Sequence, residues 1–254
     1  MKVVSLNTWA GKEFNALMDY LREREKNTDV FCFQEVFDTP TENKIVNKFY
    51  RANLFSEFQR TLPNHIGYYA PALDSHGFDG PENFPISWGL AMFVRKSLRI
   101  EGTGEIYIRG YRNSKKGDNT TIPRNLQYVK INVEGRDYII AHFHGLWNGK
   151  GKTDTEERIA QSKKARAFLD KLEGKKVLCG DFNLLPDTES LKILEEGFVN
   201  LIKTHGINTT RSSLYEKPDK FADYTLVSPD VKVERFEVPN VNASDHLPME
   251  LEFF

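Results

Sequence analysis

The sequence predicts an α/β fold, a layered sandwich of mixed β-sheets with helices outside. Three observations lead there. An apolar run, an amphipathic helix and a second apolar run open the chain, the order of a right-handed crossover between parallel strands. The middle third alternates around a tight turn in the manner of antiparallel strands. A long helix then separates these from further strands near the carboxyl end, and mixed sheets covered by helices make a layered sandwich. The 254 residues suffice for one large domain, expected over 1–254, whose core needs neither metals nor disulfides.

Residues 3–6 read as a buried strand, Gly11 as a turn, and 14–24 as a helix with Leu17, Met18 and Leu21 on one face. Residues 30–34 form the second strand. From 38 to 87 the pattern loosens into a helical stretch over 42–50, an aromatic segment over 55–58 and a Gly/Pro-punctuated run over 70–85. That region reads as a surface lid or binding loop, or as an insertion with buried aromatics. Strands resume over 88–94, 99–107, 126–133 and 138–144, with a tight hairpin at 134–137. A helix over 155–172 begins at the acidic pair Glu156 and Glu157 and stops before Gly174. Strands over 177–180, 224–228, 231–238 and 249–254 and a short helix over 189–196 complete the pattern, without internal repeat or low-complexity segment.

Charged residues make up 28% and nearly cancel to a net charge of -1, which removes the field of a strongly basic nucleic-acid binder; any polyanion has to be attracted locally. Cys32 and Cys179 lie in apolar runs and behave as small hydrophobes, so a reducing, cytoplasmic setting is expected. The first residues carry no secretory pattern, and no apolar stretch has the length of a bilayer span.

Gly180-Asp181-Phe182-Asn183 follows the apolar run 177–179 and sets a carboxylate and a carboxamide two residues apart at a strand end. In an extended segment these two side chains share a side while Phe182 turns inward; the plainer reading is a turn. Ser5-Leu6-Asn7, Phe33-Gln34-Glu35 and Ser244-Asp245-His246 occupy similar settings. Glu35, Asp181 and Asp245, with Asn7, Asn183, His144 and His246, make an oxygen-rich set suited to a hard cation such as Mg²⁺, which keeps waters and takes phosphate oxygens. Zinc fits less well, because no histidine pair has helical zinc-ligand spacing. Such a site suits in-line attack of water on phosphorus. Arg124 is placed to reach a phosphate beside a basic loop of Arg109, Arg112, Lys115 and Lys116, which is either a substrate contact or a solvated turn. His142 reads as a core histidine one strand repeat deeper than His144.

In order along the chain, Ser5-Leu6-Asn7-Thr8-Trp9, Phe33-Gln34-Glu35-Val36, His142-Phe143-His144, Gly180-Asp181-Phe182-Asn183, Ala222-Asp223-Tyr224 and Ser244-Asp245-His246-Leu247-Pro248 resemble the motifs of the endonuclease/exonuclease/phosphatase family, the deoxyribonuclease I-like superfamily. The resemblance implies a four-layer sandwich of two mixed β-sheets flanked by helices, and Mg²⁺-dependent cleavage of phosphoester bonds, with Mn²⁺ as a substitute. By position, Glu35 resembles the principal metal ligand, with Asn7 and Asp245 near the metal or its waters. Asp181 resembles the residue that orients or activates the attacking water, and Asn183 the one that positions the phosphate. His246 resembles the histidine that contacts the scissile phosphate or acts as base, with Asp223 as its orienting carboxylate, and His144 the other phosphate-facing histidine.

The substrate implied is a phosphoester, with nucleic acid among the candidates. Leu184-Leu185-Pro186-Asp187 and Phe221-Ala222-Asp223 depart from the inositol-polyphosphate phosphatases, and His144-Gly145-Leu146-Trp147 departs from the abasic-site endonucleases. The run 179–188 is similar to the deadenylase and nocturnin branch. A phosphodiesterase or nuclease is the leading expectation; a small-molecule or lipid phosphoesterase and a noncatalytic phosphate-binding module are the alternatives.

Overall fold

In the computed structural model the described residues are 1–41, 45–46, 50–77, 80–114, 122–149 and 151–254. The opening crossover is β1 (Lys2–Asn7), α1 (Phe14–Arg24) and β2 (Val30–Asp38), with β1 and β2 parallel and Asn7 opposite Gln34. Leu17, Met18, Tyr20 and Leu21 are the buried face of α1, and Arg22 and Arg24 sit in its last turn, where the helix dipole favours cations.

The region from 38 to 87 is more regular than its sequence suggests. Of the helix expected over 42–50, residues 42–44 and 47–49 lie outside the described residues; the remainder is an antiparallel pair, β3 (Ile45–Val46) and β4 (Tyr50–Arg51). The aromatic segment forms α2 (Leu54–Thr61), whose Phe58 is buried against Phe33 and Phe93. These aromatics therefore belong to the core. A ten-residue strand, β5 (His65–Asp74), runs into the supposed lid and pairs with β6 (Ser87–Arg95).

The second sheet comprises β7 (Arg99–Arg109), β8 (Arg124–Val133), β9 (Arg136–Phe143), β10 (Lys175–Asp181), β11 (Val199–Asn200) and β12 (Asp223–Val227). Glu134 and Gly135 both take positive φ between β8 and β9, the mirror-image turn that matches strand twist. Between β9 and β10 lies α3 (Glu156–Leu169), started by the Thr155 hydroxyl accepting from Arg158 N. It stops before 172 because Lys171 and Leu172 bond three residues back in tighter turns. The short helices α4 (Glu189–Glu195) and α5 (Leu201–Thr204) precede β12, while β13 (Val233–Glu237) and β14 (Met249–Phe253) return to the first sheet.

The sheet orders are β13-β14-β1-β2-β6-β5 and β11-β12-β10-β9-β8-β7. Each contains one parallel pair at its centre, β1 with β2 and β9 with β10, bridged by α1 or α3, and every other pairing is antiparallel. Period-two alternation separates the layers. Val3, Val30, Cys32, Met92 and Val94 face the second sheet's Val129, Ile131, Ile140 and Val177. Their neighbours Val4, Phe31, Phe33 and Phe93 face α1 and α2, and α3 and α4 cover the second sheet through Ala165, Leu169, Leu191 and Leu194. The result is a four-layer α/β sandwich. Cys32 and Cys179 are free and buried between the sheets, where burial pushes the Cys32 thiol well up. Among the described residues no helix is long and apolar enough to cross a membrane.

Candidate active site

Parallel strands end together, so each central pair delivers side chains to the same rim. β1 ends at Asn7, and β2 carries Glu35 at a bulge where the register with β6 shifts between Phe33 and Val36. Glu35 takes φ 58, a left-handed conformation that costs a non-glycine residue and turns its side chain out of strand alternation. In the second sheet His144 follows β9 and Asp181 ends β10. Asp223 is opposite Asp181 in the antiparallel register, and Asp245 and His246 precede β14.

The turn after Asp181 departs from the extended geometry expected of it. Asn183 has φ 53, which asparagine tolerates, and its backbone N–H donates to Asp181 Oδ1 at 2.9 Å. Phe182 turns inward and stacks on Phe143 at 4.4 Å. Gly145 crosses so close to this turn that a β-carbon there would come 2.0 Å from Phe182 O. Gly145 N donates to Asp181 O, and Asn183 Nδ2 donates to Gly145 O at 3.3 Å.

Asp181 Oδ2 is the hub. It accepts from Asn7 Nδ2 at 3.0 Å and lies 3.5 Å from His144 Nε2 and 3.6 Å from His246 Nε2. Asn7 Nδ2 also donates to Glu35 Oε1 at 3.2 Å, while Asn7 Oδ1 accepts from Trp9 N. Asn7 thus offers N–H, not oxygen, to the carboxylates. His246 Nδ1 lies 2.8 Å from Asp223 Oδ2, and Asp245 Oδ1 stands 3.8 Å from His246 Nε2. The structure brings together Asn7, Glu35, His144, Asp181, Asn183, Asp223, Asp245 and His246, all drawn from separated motifs.

Burial sets the protonation. It raises Glu35 to about 7, with Asp245 and Asp181 adding to the rise and the Asn7 bond opposing it. Asp223 is pushed up to about 7 by burial, against the pull of Arg211. His246 is held down to about 4 by burial and then by Arg211. The two shifts favour an uncharged imidazole whose Nδ1–H is donated to Asp223 and whose Nε2 lone pair faces Arg211 Nη1. His144 falls well below its ordinary value through burial and the charge of Arg124. His142 is no part of this group. It is a core histidine, accepting at Nδ1 from Gln34 Nε2 and donating from Nε2 to Gln127 Oε1, with burial lowering it to about 3.

A cation is what the unpaired atoms lack. Glu35 Oε2 is buried without a hydrogen-bond partner among the described residues, beside the carboxylates of Asp181 and Asp245. An isolated buried carboxylate costs several kcal/mol, so an oxygen-seeking ion fits this donor set. Asp181, Asp223 and His246 also bring ligand atoms within 4.8 Å of one another. Asp223 there is already engaged by His246 Nδ1, which leaves Glu35 the freer ligand.

Glu35, His144, Asp181, Asn183, Asp245 and His246 line a cavity of about 320 Å³ together with Arg124 and with Trp9, Trp88 and Trp147, which are all three tryptophans of the chain. A model of the endonuclease/exonuclease/phosphatase family matches residues 4–246. The chain belongs to this family. Among solved structures, an endonuclease/exonuclease/phosphatase family protein from Leptotrichia buccalis aligns over 100% of this chain and 99% of its own at TM-score 0.72 and 19% identity. The mannosyl-6-phosphatase Bt3783 of Bacteroides thetaiotaomicron aligns over 100% and 99% at 0.68 and 16%. The human nocturnin catalytic domain aligns over 100% and 93% at 0.68 and 20%. No curated protein matches the sequence.

Within this endonuclease/exonuclease/phosphatase domain fold, the cations divide sharply. Arg124 is 4% exposed, its Nε and Nη1 have no hydrogen-bond partner among the described residues, and its guanidinium lies 5.2 Å from the Trp88 ring. Burial lowers it to about 10, still charged at neutral pH. Of the basic loop, Lys115 and Lys116 lie outside the described residues, while Arg109 pairs with Glu157 and Arg112 with Asp74, both at 2.9 Å. Those two arginines are consumed by ion pairs. From the run over 70–85, Leu73, His76 and Gly77 reach the cavity, whereas Ala70 and Ala72 are core. Sequence reasoning missed Arg211, Lys152, Tyr215 and Lys217, which form another wall. Their segments carry no strand or helix periodicity, and no signal short of the fold identifies them.

Proposed function

We propose that this endonuclease/exonuclease/phosphatase family member is a Mg²⁺-dependent phosphoester hydrolase, a phosphodiesterase or nuclease in its chemistry, acting by in-line attack of water on phosphorus. The observation that carries this reading is the hub at Asp181 Oδ2, within 3.6 Å of both His144 Nε2 and His246 Nε2 and bonded to Asn7. A module that only bound phosphate gains nothing from three carboxylates around its ligand, because they repel it. The same carboxylates suit a site that holds a cation and activates water. The shared residue set, drawn from both sheets, supports reading 1–254 as a single domain.

Mg²⁺ would be held by Glu35, with Asp245 and Asn7 beside it, and when bound it would supply charge neutralisation and polarise the phosphoryl oxygens. Asp181 holds the attacking water and takes its proton at Oδ2. As the new P–O bond forms and the ester P–O bond breaks, the leaving oxygen takes up a proton from solvent and Asp181 releases the one it took, so one water is consumed for each ester cleaved. Asn183 and His144 position the phosphate, and Arg124 meets its charge with unused N–H groups. His246, oriented through Nδ1 by Asp223, holds its Nε2 lone pair 3.6 Å from Asp181 Oδ2 and serves as a base beside it.

The test is a panel of single- and double-stranded DNA, RNA, sphingomyelin and phosphate monoesters, assayed with Mg²⁺, Mn²⁺ and chelator. Glu35→Gln is expected to lose activity chiefly through weaker metal binding and to recover part of it at high Mg²⁺. Full turnover in chelator, or no turnover on any ester, would remove the reading.

A further inference from the structure

We propose that Arg211 and Lys217 form a second anion subsite, so that the substrate carries an anionic group next to the scissile phosphate. The proposal rests on the hydrolase reading above and concerns the segment between α5 and β12, which carries Arg211, Tyr215 and Lys217 into the cavity.

This segment is fixed in place. Ser212 N donates to Asp245 O at 3.1 Å, Leu247 N to Thr210 O at 2.9 Å, and Ser212 Oγ to Ser244 O at 2.6 Å. Arg211 is therefore held against the residues that flank the reacting centre. Its side chain is 7% exposed, its Nη1 lies 3.2 Å from Asp245 Oδ2, and its Nε has no partner among the described residues. The guanidinium packs 4.0 Å from the Tyr215 ring, whose hydroxyl accepts from the buried Lys152 Nζ at 3.0 Å. Farther out, Lys217 sits 5.0 Å over the Trp147 ring and has no carboxylate partner among the described residues.

Arg211 answers the carboxylates of Asp223, Asp181 and Asp245, and that role calls for no further uncompensated cation on the same wall. Lys152 has its own carboxylate, Asp219 at 3.3 Å; Lys217 has none. Arg124, with two nitrogens unpartnered among the described residues, approaches from the Trp88 side of the cavity and already answers the scissile phosphate. A second cationic wall implies a second negative charge, and a guanidinium with a free N–H recognises phosphoryl or carboxylate oxygens directionally. The geometry favours two phosphoryl groups in close succession, as in a pyrophosphate or an oligophosphate, whatever organic group they carry.

Isothermal titration calorimetry in Mg²⁺ buffer, which neutralises the carboxylates at the site, with inorganic phosphate and inorganic pyrophosphate as probes, tests the subsite through binding. The parent is expected to bind pyrophosphate on the order of tenfold more tightly than phosphate. The exposed Lys217→Glu should erase most of that difference while phosphate affinity stays within about twofold, and Arg211→Gln, which also loses its contacts to His246 and Asp245, should lose more affinity for pyrophosphate than for phosphate. No preference in the parent, or equal losses for both probes, would overturn the subsite. Far-ultraviolet circular dichroism and the melting temperature check the fold of each variant; if Arg211→Gln fails to fold, Lys217→Glu decides alone. Turnover of bis(4-nitrophenyl) phosphate with Mg²⁺, measured in parallel, reads the hydrolase separately, so either idea can fail without the other.

Discussion

Asn7 Nδ2 donates to Asp181 Oδ2 at 3.0 Å, a side-chain bond between the last residues of β1 and β10 that ties the two sheets together at the site. The same nitrogen reaches Glu35 Oε1 at 3.2 Å, so one neutral amide separates two carboxylates.

Asn7→Asp replaces that amide with a third negative group. In chelator the variant is expected to lose about 2 kcal/mol or more of stability, because like charges in a buried site repel. Mg²⁺ should restore much of the loss. Urea denaturation with and without metal makes the comparison, and a variant as stable as the parent in chelator would contradict the shared-amide geometry.

Asp181 and His246 face each other at 3.6 Å and are expected to serve one chemical step. Asp181→Asn keeps size and hydrogen bonding but loses basicity, so kcat should fall on the order of a hundredfold or more with little change in KM. Asp223→Asn should cost less, since it only loosens the imidazole. The Asp181→Asn/His246→Ala double variant should be hardly slower than the slower single one. Multiplied defects would show that the two residues act independently.

Gly145 lies where any side chain would meet Phe182 O. Gly145→Ala must push the Asp181–Asn183 turn aside, and overpacking of this kind costs about 1–3 kcal/mol. Activity should fall further than stability explains, because the hydrogen bonds that aim Asp181 and Asn183 run through this contact. Thermal melts and kcat at a temperature where the variant is folded separate the two effects.

His142 gives a dependence on acidity unrelated to the site. Its folded value of about 3 lies below the unfolded value of about 6.5, so as pH falls the unfolded chain takes up the proton first. Its stabilising contribution is complete above about pH 6.5 and drains away down to about pH 3, by at most about 1.4 kcal/mol per pH unit. His142→Asn should flatten the acid limb of the stability curve by one proton. An unchanged slope would mean that His142 is not held neutral.

The strands that place the site were legible because their apolar runs are continuous and their ends carry polar residues: 3–6 before Asn7, 177–180 before Asp181, 138–144 through His144. The parallel crossover at the start followed from order alone. After Asp38 the reading of an insertion with buried aromatics holds, but strand β5 was missed, since it contains Gly67 and Pro71, which look like punctuation but lie in a strand paired with β6. Asp223 and His246 were assigned through motif order; their contact joins positions 23 apart through β12 and the turn before β14. Arg211 was invisible for a different reason. Its importance arises from an isolated bridge to His246 and from burial, neither of which has a local pattern.

The matched central pairs of the two sheets make the molecule two half-units of one plan. Residues 99–227 run hairpin, strand, helix, strand and closing hairpin without interruption. The other half follows the same course only if the chain is read from β13 through β14 and on into β1, where Met1 N meets Phe253 O at 2.5 Å. Splicing the termini together and reopening the chain at 96–98 would turn the wrapped half into a contiguous one. Every strand neighbour would be kept, and Asn7 would still donate to Asp181 across the two sheets.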